Sequence, residues 1–130
     1  MNICMLGVCI DSAPVIFALL MMLFDIVSGV LKGFCTYSLS STAMREGLIH
    51  KAVYILVILL FASFEVAQHY FVMGVDIPTT LAACIYIITA ELLSVIENMV
   101  EIDPEIGEWP IIKQLMGLDV DDSSNKEYRD

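Results

Sequence analysis

The stretch APVIFALLMMLFDIVSGVLKGF, residues 13–34, decides how the rest of the chain is read. A helix of about 20 apolar residues, rising 1.5 Å per residue, spans the roughly 30 Å of hydrocarbon in a bilayer. This stretch has that length, and two further apolar runs, at residues 52–73 and 79–100, match it. In lipid every backbone N–H and C=O must be paired within the structure, which leaves helices or closed barrels. The alternation of barrel strands, with a period of about ten residues per segment, is absent. The sequence therefore predicts an all-α integral membrane protein with three transmembrane helices.

Composition points the same way. The chain has 130 residues, of which 58% are hydrophobic, and a mean hydropathy of +0.81. Soluble domains carry about 45–50% apolar residues, and one this small cannot bury so much apolar surface. The net charge of −10 is concentrated late: ten of the sixteen acids lie from Glu97 onward. Residues 1–118 thus read as a single three-span membrane domain, and 119–130 as a disordered acidic tail too poor in apolar residues to fold.

All six basic residues fall on one side of a three-span chain. Lys32, Arg45 and Lys51 lie in or beside the first loop, and Lys113, Lys126 and Arg129 follow the third span, while the first twelve residues and the Gly74–Pro78 turn carry none. Positive charge stays inside, so the N-terminus is expected outside and the C-terminus in the cytoplasm. With no basic residue ahead of it, the first span is expected to be retained rather than cleaved. In the cytoplasmic loop Ser40, Ser41 and Thr42 offer helix-capping oxygens, and Ala43–Lys51, which includes Arg45 and Gly47, is expected as a short interfacial helix leading into span two. After span three, Asp103-Pro104 and Gly107 break the helix. Trp109 suits the headgroup layer, and Pro110 suits the first turn of a short amphipathic helix at about 110–117, with Ile111–Met116 as its body.

Acids retained inside spans need a reason, since a charge at the bilayer centre costs about 2.5–3.5 kcal/mol even on insertion scales. Asp25, Glu65, Glu91 and Glu97 are such acids, and they are the candidate pore-lining residues. Polar neighbours recur at helical spacing: Asp25, Ser28, Gly29 and Lys32; Glu65, Gln68 and His69; Glu91, Ser94, Glu97, Asn98 and Glu101. Each span has one polar stripe. Either the stripes pack together within one bundle, with Lys32 neutralising Asp25, or they face other copies or water in an assembly. Gly29 and Gly33, four apart, allow close backbone approach, so Ser28, Gly29, Gly33, Ser94 and Asn98 are candidate helix-packing and oligomer contacts.

Glu65 and His69 lack a third ligand, and no metal or other cofactor is expected. The cysteines Cys4, Cys9, Cys35 and Cys84 form no CxxC pair and read as small hydrophobes. Nucleophile elbows, phosphate loops and HExxH are missing, so neither an enzyme nor a nucleic-acid binder is expected.

The order Asp25-x-x-x-Gly29, Ser40-Ser41, Gly47, Lys51 and Glu91-x-x-Ser94-x-x-Glu97-Asn98, followed by a loop with Pro110, resembles the phage-lysis and toxin-secretion holin family of clostridia and other Firmicutes. The resemblance covers roughly Phe24–Leu115. It implies a small membrane protein that accumulates in the cytoplasmic membrane and then homo-oligomerises into lesions. Its partners would be the bilayer, further copies of itself, and a cell-wall hydrolase or large toxin as cargo. Two features depart from the family: Glu65 stands where an Asp is expected in relatives, and the tail is acidic where many holins end in a basic one. The competing readings are a transporter or ion-channel subunit using Glu65, Glu91 and Glu97, and a membrane anchor or antiholin-like regulator.

Overall fold

The computed structural model describes residues 2–5, 8–71 and 77–117. A short hairpin opens the chain, β1 (Asn2–Met5) pairing antiparallel with β2 (Val8–Asp11), in a register that sets Cys4 opposite Cys9. There follow α1 (Ala13–Cys35), α2 (Ser41–Tyr70), α3 (Thr79–Ile102), α4 (Pro104–Gly107) and α5 (Pro110–Leu115). The three long helices are each long and apolar enough to cross a membrane.

α1 and α3 coincide closely with two of the apolar runs. α2 differs from the sequence reading, because the expected interfacial helix and span two are one unbroken helix of 30 residues. Ser40, in extended conformation, caps it by accepting from the Ala43 N–H at 3.5 Å. Nothing beyond Ser40 breaks it, since a single glycine, Gly47, costs only about 1 kcal/mol in a helix. Arg45, Gly47 and Lys51 are helical as expected, but as part of α2 itself, and Ser41 lies in its first turn. The end of the predicted second span and most of the Gly74–Pro78 turn lie outside the described residues, as does the acidic tail at 119–130.

α1 ends in a left-handed turn at Tyr37 (φ 53°), closed by the Ser38 N–H donating to the Gly33 carbonyl at 3.1 Å. This is the six-to-one bond of a helix C-cap. α3 begins at Pro78 with no side-chain cap of its own. α2 supplies what is missing: the Thr80 N–H donates to Glu65 Oε2 at 3.0 Å, and Gln68 both donates to the Ile77 carbonyl (3.2 Å) and accepts from the Ile77 N–H (3.1 Å). Free N–H groups at a helix start in lipid must find acceptors, and Glu65 is one.

α1 lies along α3 over most of its length, α2 packs on α3 less extensively, and α1 barely touches α2. The core is small: Ala18 and Met22 from α1, Ile58 from α2, Cys84 and Ile87 from α3. Large apolar side chains such as Phe17, Leu60 and Tyr86 point outward and are 59%, 66% and 69% exposed, the arrangement expected when the solvent is hydrocarbon. Beyond α3, Asp103 caps α4 by accepting from the Glu105 N–H at 3.1 Å. Pro110 occupies the first turn of α5, where the amphipathic helix was expected.

A candidate functional site of interhelical charges

Lys51, Tyr54 and Ile58 fall at i, i+3 and i+7 on α2, which turns Lys51 toward α1 and α3 rather than toward the loop. Its Nζ lies 2.7 Å from Asp25 Oδ2 on α1 and 2.6 Å from Glu91 Oε2 on α3. Each long helix thus contributes one member of a charged triad. Lys51 is 7% exposed and Glu91 3%. A buried pair of this kind gains Coulomb energy and loses hydration in similar measure, so it adds little net stability, but removing one partner strands the other.

The network continues along α1 and α3. Asn98 Nδ2 donates to Asp25 Oδ1 (3.2 Å) and to Ser28 Oγ (3.1 Å), while the Ser28 hydroxyl donates to the Asp25 carbonyl (3.1 Å). Lys32 Nζ donates to Asn98 Oδ1 (3.3 Å) and pairs with Glu101 Oε1 at 2.8 Å. The chain of contacts therefore runs Glu91, Lys51, Asp25, Asn98, Lys32, Glu101. Lys32 does not neutralise Asp25 as the sequence suggested. Spacing on one helix favoured that pair, but the carboxyl points across to α2, where Lys51 is nearer.

Two clefts flank Lys51. One, of about 510 Å³, lies between α1 and the first turns of α2 and is walled by Gly29, Gly33, Ala43, Gly47 and Leu48. The other, of about 420 Å³, lies between α2 and α3 and is lined by Glu46, His50, Tyr54, Ala90, Glu91 and Ser94. They exist because α2 splays from its neighbours at this end, where every residue from Ser41 to His50 is exposed.

The model of the bacteriophage holin family matches residues 4–118. The chain belongs to the bacteriophage holin family. Neither a curated protein nor a solved structure matches it. In this holin the match takes in all three long helices and both short ones, more than the Phe24–Leu115 stretch that carried the resemblance. Family and helices together make it a protein of the cytoplasmic membrane.

The holin brings Asp25, Ser28, Glu91 and Asn98 into one network, and Ser94 lines both clefts. Gly29 faces the same network, since a Cβ there would sit 3.7 Å from Asn98 Nδ2. Gly33 meets the Leu39 side chain, 3.2 Å from a built Cβ, so it makes room for the α1–α2 loop to fold back. Glu65 stands apart as the α3 cap. Glu97 is exposed, and so are Ser40, Ser41, Arg45 and Gly47. His69 packs edge-on against Tyr70 with ring centroids 5.9 Å apart. Of the cysteines, Cys84 is a core hydrophobe and Cys35 is exposed at the end of α1.

The sequence reading missed the bridging role of Lys51 and the Lys32–Glu101 pair. A signal for the first was present: Lys51, Ile58 and Glu65 are seven apart, and all three turn inward on α2.

Proposed function

We propose that this holin homo-oligomerises in the bacterial cytoplasmic membrane, N-terminus outside and C-terminus inside, and opens lesions that release a cell-wall hydrolase or a large toxin. The observation that carries this reading is the triad. A protomer whose outer surface is largely apolar pairs Asp25, Lys51 and Glu91 in one interhelical cluster, which suits a lipid-embedded bundle. The same cluster becomes a water-facing lining once association pulls the helices apart. The clefts beside Lys51 give water a route to the triad from the cytoplasmic end. A ligand or environment shifts such an equilibrium only by its differential affinity for the two states, and water solvates the ionised triad while lipid does not.

Induced expression tests the reading. The holin should leave growth normal for a period and then abruptly collapse the membrane potential, with lysis when a hydrolase is co-expressed. A transporter subunit or an inert anchor would do neither. Glu91→Gln keeps a hydrogen-bond acceptor for Lys51 but cannot ionise, so it should delay or abolish lysis while oligomers still form. Lysis on schedule would remove the charged lining and leave only an oligomerising bundle. Orientation is read separately, in a chain without the four native cysteines. Ile77→Cys should label with an impermeant thiol reagent in intact cells, and Glu105→Cys should not. The reverse pattern inverts the topology.

A further inference from the structure

We infer that copies of this holin join through Arg45 on α2 of one copy and Glu97 on α3 of the next, an inference that rests on the oligomerising reading above. Both side chains are exposed, and neither forms a salt bridge among the described residues. Lys32, Lys51, Asp25 and Glu91, by contrast, are all paired. Glu97 lies within the apolar run of α3, where an ionisable group is costly and is usually paired or set against water. The two residues also sit level. Lys51 of α2 and Glu91 of α3 meet, and Arg45 and Glu97 each lie six residues, about 9 Å, beyond them toward the same end of the bundle, so parallel copies bring them to similar depth.

The surface around Arg45 is free within one protomer. Met44, Leu48 and Ile49 are 47%, 56% and 56% exposed, Met44 and Leu48 lining the cleft beside α1. Lipid alone would cover those apolar groups, but it gives Glu97 no counter-charge; a second copy presenting Arg45 does. The neighbouring acid, Glu46, is turned about 100° round the helix and lines the cleft beside His50 and Lys51, which leaves Arg45 to an outside partner. Where each copy offers Arg45 to one neighbour and Glu97 to another, rather than forming both pairs reciprocally between the same two copies, the contact is heterologous. Contacts of this heterologous kind propagate into rings or open arrays rather than closing as dimers.

A charge-swap cycle on the full chain in bacterial membranes, read by amine-reactive crosslinking, decides the matter. Arg45→Glu and Glu97→Arg each set like charges face to face and should cut crosslinked oligomers about tenfold, with membrane insertion unchanged. The double swap should restore them. If both single variants crosslink like the parent, or the double swap fails to restore oligomers, the pairing is wrong, while the holin reading stands as long as the parent itself assembles. Loss with Arg45→Glu that persists whatever stands at 97 assigns the arginine to anionic lipid headgroups and also overturns the pairing. A parent chain that gives no oligomers sinks this inference and the oligomerising reading together.

Discussion

At the end of the bundle near Ile77, α2 and α3 are joined by backbone capping and an apolar core; at the end near Ser38, α2 meets its neighbours through Lys51 and its two carboxylates. α2 and α3 take part at both ends, and at the second Asp25 of α1 joins them. At the first, Glu65 and Gln68 satisfy backbone groups that lipid cannot, and Ile58 packs on Cys84 and Ile87. At the second, close packing gives way to two clefts, and contact depends on charge. An apolar joint is indifferent to water at its rim, whereas a charged joint weakens as soon as water competes for its partners. On the proposed reading, the Lys51 end is the one expected to open first.

The largest expected effect comes from breaking that charged joint. Lys51→Met leaves Asp25 and Glu91 buried without a cation and should cost about 3–5 kcal/mol in denaturant unfolding in detergent micelles. Adding Asp25→Asn and Glu91→Gln to the same chain should recover most of the loss, because no buried charge then remains unpaired. A Lys51→Met chain as stable as the parent would mean that charge does not hold this end.

The capped joint should be less sensitive. Glu65→Ala removes one acceptor from the α3 start, for which about 0.5–2 kcal/mol is expected, while Glu65→Gln keeps an oxygen there and should lose less. Equal losses from the two would show that the negative charge, not the hydrogen bond, does the capping.

Gly47→Ala sharpens the comparison from the cleft side. A Cβ at Gly47 meets nothing within 4 Å, so within one protomer the change should stabilise α2 by about 0.5–1 kcal/mol, seen as a raised Tm. Stabilisation of the monomer accompanied by weaker crosslinking would place a neighbouring copy in the cleft.

The smallest effect lies beyond the bundle. Lys113 pairs with Glu108 at 2.8 Å, and its hydrogen bond and charge hold the Glu108 carboxyl below its ordinary pKa. A lowered folded-state pKa stabilises above the ordinary carboxylate value and is lost as pH falls through the folded value. Acidification should thus loosen α5 slightly, visible as NMR shifts at Lys113, and Lys113→Gln should bring Glu108 back to an ordinary titration. Because the pair is exposed, the global Tm should not move measurably.

Much of the architecture was legible from the amino acids. The span limits at 13–34 and 79–100 agree with α1 and α3 to within two residues, because bilayer thickness imposes a length on apolar runs and proline and glycine mark their ends. The reading placed Asp25, Ser28, Glu91 and Asn98 on polar stripes for the same local reason: helical periodicity is a property of one segment. Partnership is different. Asp25 had Lys32 two turns away on its own helix, and nothing local said that Lys51, 26 positions on, would stand closer. Glu65 and Glu97 looked alike in sequence, each an acid in an apolar run. Yet one caps a neighbouring helix and the other faces outward, because helix rotation and splay are set by packing between helices. What the sequence determined by itself was the number of spans, their extent and the polar face of each. Only the tertiary structure decided which charges meet, since a side chain's partner is fixed by the relative rotation of whole helices, to which every packed residue along them contributes.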